Sequence, residues 1–123
     1  MTSSVVLVTG GFDPIHSGHI SLLNSAKQIA PLSALAVGLN SDLWLKEKKG
    51  KPFMPFYDRL IVVRALGMVD NVLEFDDSNG TACEAIAQCL EIYDKVIFCN
   101  GGDRHNENTP EYNLYKDDNR VVY

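Results

Sequence analysis

A chain of 123 residues, 46% of them hydrophobic, has material for one core and one domain, not two. Its net charge of −5 excludes general affinity for nucleic acid, and no apolar run approaches the ~20 residues that span a bilayer. Cys83, Cys89 and Cys99 have neither disulfide nor metal-site spacing and read as buried thiols in a reducing compartment.

The N-terminus, Met-Thr-Ser-Ser, lacks a basic region and leads directly into an apolar run, so no signal peptide is expected and the expected location is the cytoplasm. Residues 5–9 are apolar and β-branched, the pattern of a strand buried on both faces of a parallel sheet. Ile20, Leu23, Ala26, Ile29 and Ala30 recur at helical spacing over residues 17–30, and Pro31 closes that helix. Residues 33–39 form a second buried strand. Asn40-Ser41-Asp42 is a helix-start signal for a short helix carrying Leu43, Trp44 and Leu45. Residues 46–55, Lys-Glu-Lys-Lys-Gly-Lys-Pro-Phe-Met-Pro, are charged and broken by Gly and Pro, which predicts a mobile loop. A helix over 56–66 ends at Gly67, a strand covers 71–75, and 76–80 form a turn. An amphipathic helix is predicted over 81–93, a strand over 95–99, a loop at Asn100-Gly101-Gly102-Asp103, a short helix over 110–116 and a last strand at 121–123.

Alternating strands and helices predict a single α/β domain, a Rossmann-like parallel sheet with helices on both faces. Ligands of such folds bind beyond the carboxyl ends of the strands. The loop at residues 10–19, Asn40, the lysine-rich segment and residues 101–103 all follow strand ends and so converge on one rim. Six of the eleven basic residues lie between Lys46 and Arg64, a local concentration suited to a polyphosphate.

Residues 10–19 read Gly-Gly-Phe-Asp-Pro-Ile-His-Ser-Gly-His. His16 and His19, three apart, share one side of a helix start. One capping and one packed histidine is the plain reading, and a metal pair would need a third ligand at recognisable spacing. A strand before, glycines within and a helix after favour the phosphate reading, because free amides and the positive helix end face a ligand there. Gly10 and Gly11 permit a sharp turn and close backbone approach. The order matches neither the dinucleotide fingerprint nor a P-loop. Asp13 is open between capping a backbone amide and contacting a metal or substrate. The lysine run is either a solvated surface or a ligand loop. Arg59 is either a surface ion-pair partner of Asp58 or of an acidic neighbour, or a substrate contact.

The segment resembles the G-x-F-D-x-x-H-x-G-H signature of the cytidylyltransferase-like nucleotidyltransferases. Asn40-Ser41-Asp42, Gly50-Lys51-Pro52, Arg59, Ala65-Leu66, Val69-Asp70 and Gly101-Gly102-Asp103 follow in that family's order, over nearly the whole chain. The resemblance implies that residues 1–123 are a nucleotidyltransferase domain. It implies that His16 and His19 contact the triphosphate and stabilise charge on its α-phosphate, and that Lys46 or a neighbouring lysine neutralises phosphates. Arg59 would hold the acceptor's phosphate or the β/γ-phosphates. Gly10, Gly11, Phe12, Asp13, Gly18 and Asn40 would belong to the nucleotide site, with Gly101, Gly102 and Asp103 at the base and ribose. Mg²⁺ would be held mostly by nucleotide phosphates, with no protein metal ligand. The implied partners are CTP or ATP, a phosphorylated acceptor such as a sugar phosphate or phospho-alcohol, and a second copy of the chain in a homodimer. Relatives continue past residue 123 with a Ser/Thr-rich segment and a helix that contacts the nucleotide. Its absence from these residues motivates the alternative of a non-catalytic nucleotide-binding module.

Overall fold

A computed structural model of the chain describes residues 3–99 and 110–122. Among them, strands and helices alternate as β1 (Ser4–Gly10), α1 (Ser17–Ile29), β2 (Ala34–Leu39), α2 (Asp42–Lys49), α3 (Phe56–Arg64), β3 (Asn71–Glu74), α4 (Cys83–Ile92), β4 (Lys95–Cys99), α5 (Pro110–Tyr115) and β5 (Val121–Val122). The strands form one parallel sheet in the order β3-β2-β1-β4-β5. The expected α/β architecture is thus the observed one.

Side-chain alternation along β1 explains how both faces are covered. Val6 and Val8 pack with Leu35 and Val37 of β2, Leu23 and Ala26 of α1, and Val63 of α3. Val5 and Leu7 face the other way, against Ala85, Ile86 and Cys89 of α4 and Phe98 of β4. A strand with this double burial must be apolar throughout, which is why residues 5–8 carry no polar side chain. Burial also pushes the Cys89 thiol up to about 11, leaving it a small apolar core side chain. No helix among the described residues is long and apolar enough to cross a membrane.

One expectation is corrected here. The lysine run does not begin a loop, because α2 continues through Lys49. Ser41 caps this helix by accepting the Trp44 N–H at 3.1 Å, and Leu45 is buried beneath it. The lysines occupy the remaining, solvent-compatible positions, where charge does not oppose helix formation. Gly50, at φ 94°, supplies the left-handed turn that stops the helix. Within the segment 50–55, Phe53 and Met54 are held by contacts described below.

The sheet order places a switch at β1. The chain moves outward through β2 and β3 on one side and through β4 and β5 on the other. The crevice at the carboxyl end of β1 is where such sheets receive ligands.

Candidate active site

Beyond Gly10 the chain turns sharply through Phe12, whose φ of 51° lies in the left-handed region. For a residue with a side chain this conformation costs roughly 1–3 kcal/mol. Burial of the Phe12 ring, 4% exposed, offsets it, and the ring packs 4.9 Å from that of His19.

The two histidines cap α1 reciprocally. His16 is the N-cap, in extended backbone geometry, and its Nδ1 accepts the Gly18 N–H at 3.0 Å. His19 Nδ1 accepts the His16 N–H at 3.1 Å, and the two rings lie 4.0 Å apart between centroids, tilted by 34°. An Nδ1 that accepts a hydrogen bond carries no proton, so each neutral ring holds its proton on Nε2. Both rings thereby keep one N–H donor that the helix does not use. Partial burial, reinforced by the neighbouring His16, holds the His19 pKa below the ordinary histidine value, so the neutral form prevails near pH 7.

Gly18 owes its identity to this cap. A Cβ built on it would stand 2.8 Å from His16 Cε1 and 3.0 Å from Nδ1. Gly18→Ala is therefore expected to displace the His16 ring without unfolding an exposed helix turn. Turnover should fall by tenfold or more, on the scale of one misplaced donor, while the urea midpoint changes little. Steady-state rates beside an unfolding curve check this.

Asp13 and Arg59 lock the loops around this cap. The Asp13 carboxylate accepts the backbone N–H of Phe53 at 2.7 Å and of Met54 at 2.6 Å, and pairs with Lys49 Nζ at 2.8 Å. Burial works to raise its pKa, but the hydrogen bond from Lys49 and those from Phe53 and Met54 outweigh it and hold the carboxyl below its ordinary range. A depressed carboxyl pKa contributes stability that is fully present above the unfolded value near ~4 and is lost as pH falls through the lower folded value. The stability difference between the wild type and Asp13→Asn should therefore be present at pH 7 and shrink below about pH 4, as read from urea unfolding across that window.

Arg59 is placed differently from the expectation of a phosphate contact on the rim. It is 1% exposed. Its Nε donates to Met54 O at 3.0 Å, Nη1 to Gly11 O at 2.9 Å and Asn40 O at 2.7 Å, and Nη2 to Asp42 Oδ1 at 2.7 Å. The ion pair is with Asp42, not Asp58. A guanidinium so engaged ties the ends of β1 and β2 and the segment before α3 into one frame, and its role is to position those loops. The fork of five donors explains why Arg stands here.

Asn40 is buried and donates to Asp77 Oδ2 at 3.0 Å. The same oxygen accepts Ser41 N–H at 2.8 Å, and Asp77 Oδ1 accepts the Ser41 hydroxyl at 2.7 Å. Asp77 was expected only as part of a turn; its signal was its place just past a strand's carboxyl end.

Two neighbouring cavities open on this rim. One, about 280 Å³, is bordered by Phe12, Asp13, His16, His19, Lys48 and Lys49. The other, about 180 Å³, lies over the ends of β1 and β2 and includes Gly10, Asn40, Thr81 and Glu111. Gly11, Trp44 and Lys48 border both. Lys46 is exposed on α2 and borders neither; Lys48 occupies the place expected of it. Gly101, Gly102 and Asp103 lie outside the described residues. The sequence places Trp44 only within the short helix after Asn40-Ser41-Asp42, and gives Glu111, inside the helix expected over 110–116, no role. Glu111 is 1% exposed and accepts Ala82 N–H at 2.7 Å, joining α5 to the start of α4.

The cytidylyltransferase-like family model matches residues 7–115, spanning the histidine cap, the Arg59 frame and both cavities. The chain belongs to the cytidylyltransferase-like family. Curated relatives include the bifunctional protein HldE of Streptomyces coelicolor, 34% identical over 116 residues, and that of Photorhabdus laumondii, 41% identical over 101 residues. These alignments cover 93% and 80% of this chain but only 23% and 20% of the relatives, so the chain spans about a fifth to a quarter of their length. A lipopolysaccharide core biosynthesis protein from Thermoplasma volcanium shares the fold, with a TM-score of 0.70 and 22% identity over 99% of this chain and 95% of that one.

Proposed function

We propose that this domain transfers a nucleoside monophosphate from CTP or ATP to a phosphorylated small molecule, a sugar phosphate or phospho-alcohol. An acceptor phosphate oxygen attacks the α-phosphorus, the bond to the bridging oxygen of the β-phosphate breaks, and pyrophosphate leaves with that electron pair. The reciprocal histidine cap carries the reading. It leaves two Nε2–H donors free of the cap at a helix N-terminus, where donors can stabilise charge building on α-phosphate oxygens. Such transfer needs positioning and positive charge rather than a protein nucleophile.

Among the described residues no three His, Cys, Asp or Glu side chains gather into a metal cage. Asp13 and Asp42, the carboxylates nearest the cap and frame, are engaged by Lys49 and Arg59. These residues suit Mg²⁺ that arrives on the nucleotide phosphates, where it would neutralise charge, rather than an ion resident in the protein. The family resemblance of Asn40-Ser41-Asp42 leans toward a sugar-phosphate acceptor. Work in the cytoplasm as a homodimer completes the proposal.

Pyrophosphate release, measured with CTP and ATP against a panel of sugar phosphates and phospho-alcohols, tests it. Release with at least one pair is expected. Nucleotide binding by calorimetry with no turnover for any pair would instead select a non-catalytic binding module.

A further inference from the structure

We propose that Asp77 is a positioning residue for the transfer reaction: its buried carboxylate fills an anion seat at the start of α2 and so fixes the wall that this helix presents to the histidine cap. The effect on the reaction rests on the nucleotidyl-transfer reading, whereas the seat is a property of the fold. Asp77 is 6% exposed, and among the described residues it pairs with no cation. A buried carboxylate is costly unless donors replace the water it gives up. Three do so here, Asn40 Nδ2 at 3.0 Å, the Ser41 N–H at 2.8 Å and the Ser41 hydroxyl at 2.7 Å. All three belong to the two residues that lead into α2, where the positive helix end also favours a negative charge.

The seat joins segments that are distant in the chain. Asp77 follows the end of β3, and its partners lie between β2 and α2. The Ser41 hydroxyl works in both directions, donating to Asp77 Oδ1 and accepting the Trp44 N–H at 3.1 Å. A carboxylate oxygen only accepts, so it sets the direction in which the hydroxyl donates and leaves the hydroxyl's lone pairs to Trp44. The first turn of α2 is thus set by a residue 36 positions further on. Leu45 is the one buried residue of α2, so apolar burial alone fixes this short helix weakly, and polar ties set its place. Asp42 to Arg59 and Lys49 to Asp13 tie it to the loops around the cap, and Asp77 ties its start to the β3 side. Through Trp44, Leu45, Lys48 and Lys49 the same helix borders the cavity of His16 and His19. A misplacement of about 1 Å at a reacting centre can cost on the order of 10²-fold in rate, so a wall loosened at its start lowers turnover.

Asp77 also borders a cavity of about 280 Å³ with Ser41, Trp44 and Phe75, which gives a small solute a way to the seat. Asp77→Ala empties the seat, and formate carries the group that the substitution removes. In folded Asp77→Ala, kcat should fall about tenfold or more while KM changes less. Formate should restore kcat saturably, and chloride at the same ionic strength should not. The emission of Trp44, the chain's only tryptophan, should change in the variant and return with formate, which reads the seat without turnover. Ser41→Ala breaks the link to Trp44 but leaves the carboxylate in place, so it should lose a smaller part of kcat and gain nothing from formate. If Asp77→Ala folds only in formate, a urea midpoint that rises with formate concentration reads the seat, and Ser41→Ala carries the kinetic test. Wild-type kcat in folded Asp77→Ala overturns the positioning role. Loss of kcat with no return of rate or emission in formate overturns the seat, as does an equal response to formate in Ser41→Ala. Emission restored by formate, in a protein that releases no pyrophosphate with any substrate pair, would sink the transfer reading and leave the seat standing.

Discussion

Arg59→Met is expected to lower the unfolding free energy by about 3–5 kcal/mol, the scale of removing one partner from a buried ionic and hydrogen-bonded node. The guanidinium serves three backbone carbonyls, those of Gly11, Asn40 and Met54, and the Asp42 carboxylate. Methionine fills much of the volume but supplies no donor, so all three carbonyls lose a partner and the most buried of them, that of Asn40, retains its desolvation penalty. Asp42 is half-exposed and can turn to water, which moderates the loss on that side. Arg59→Lys should lose most of the same stability, because one ammonium cannot reproduce a fork aimed in three directions. Urea unfolding of both variants decides the role. A surface arginine reserved for phosphate would cost at most ~1 kcal/mol on removal, with the defect confined to turnover.

His16→Asn is expected to cut turnover by about 10²–10³-fold while leaving stability close to that of the wild type. Asparagine is a good N-cap and can accept the Gly18 N–H that His16 Nδ1 now accepts. It has no Nε2–H in the place where the imidazole presents one. His16→Ala removes cap and donor together, and should show the same loss of rate plus about 1 kcal/mol of stability. The pair of variants separates capping from chemistry. Wild-type turnover in His16→Asn, with the protein folded, would show that the imidazole acts only as a cap.

The sequence reading reached the strands and helices because each rests on local regularity. The apolar run at residues 5–8 has one stable solution, a central parallel strand, and that is β1. The histidine cap was also within reach, since His16, Gly18 and His19 lie within one helix turn and capping is a short-range matter. Reading residues 46–49 as loop failed for a physical reason. Charge density argues against burial, not against a helix, and the Ser41 cap and the buried Leu45 outweighed it. The role of Asp13 is not legible locally, because its partners, Phe53 and Met54, lie some forty residues away.

Composition and periodicity were sufficient for the α/β class, and one ten-residue signature for the family. These depend on residues near each other in sequence, where steric and hydrogen-bonding rules act without reference to the rest of the fold. The fate of the cations was decided only in three dimensions. Arg59 and Lys46 look alike as charged side chains near a phosphate motif, yet folding draws Arg59 beneath the carbonyls of Gly11 and Asn40, just past two strand ends, and of Met54 before α3, and leaves Lys46 in solvent. Lys48 gains its place because α2 lays Trp44 between two cavities one helical turn away. Which charge meets a ligand and which holds the frame depends on burial and on carbonyls brought from distant segments, and local sequence carries no record of either.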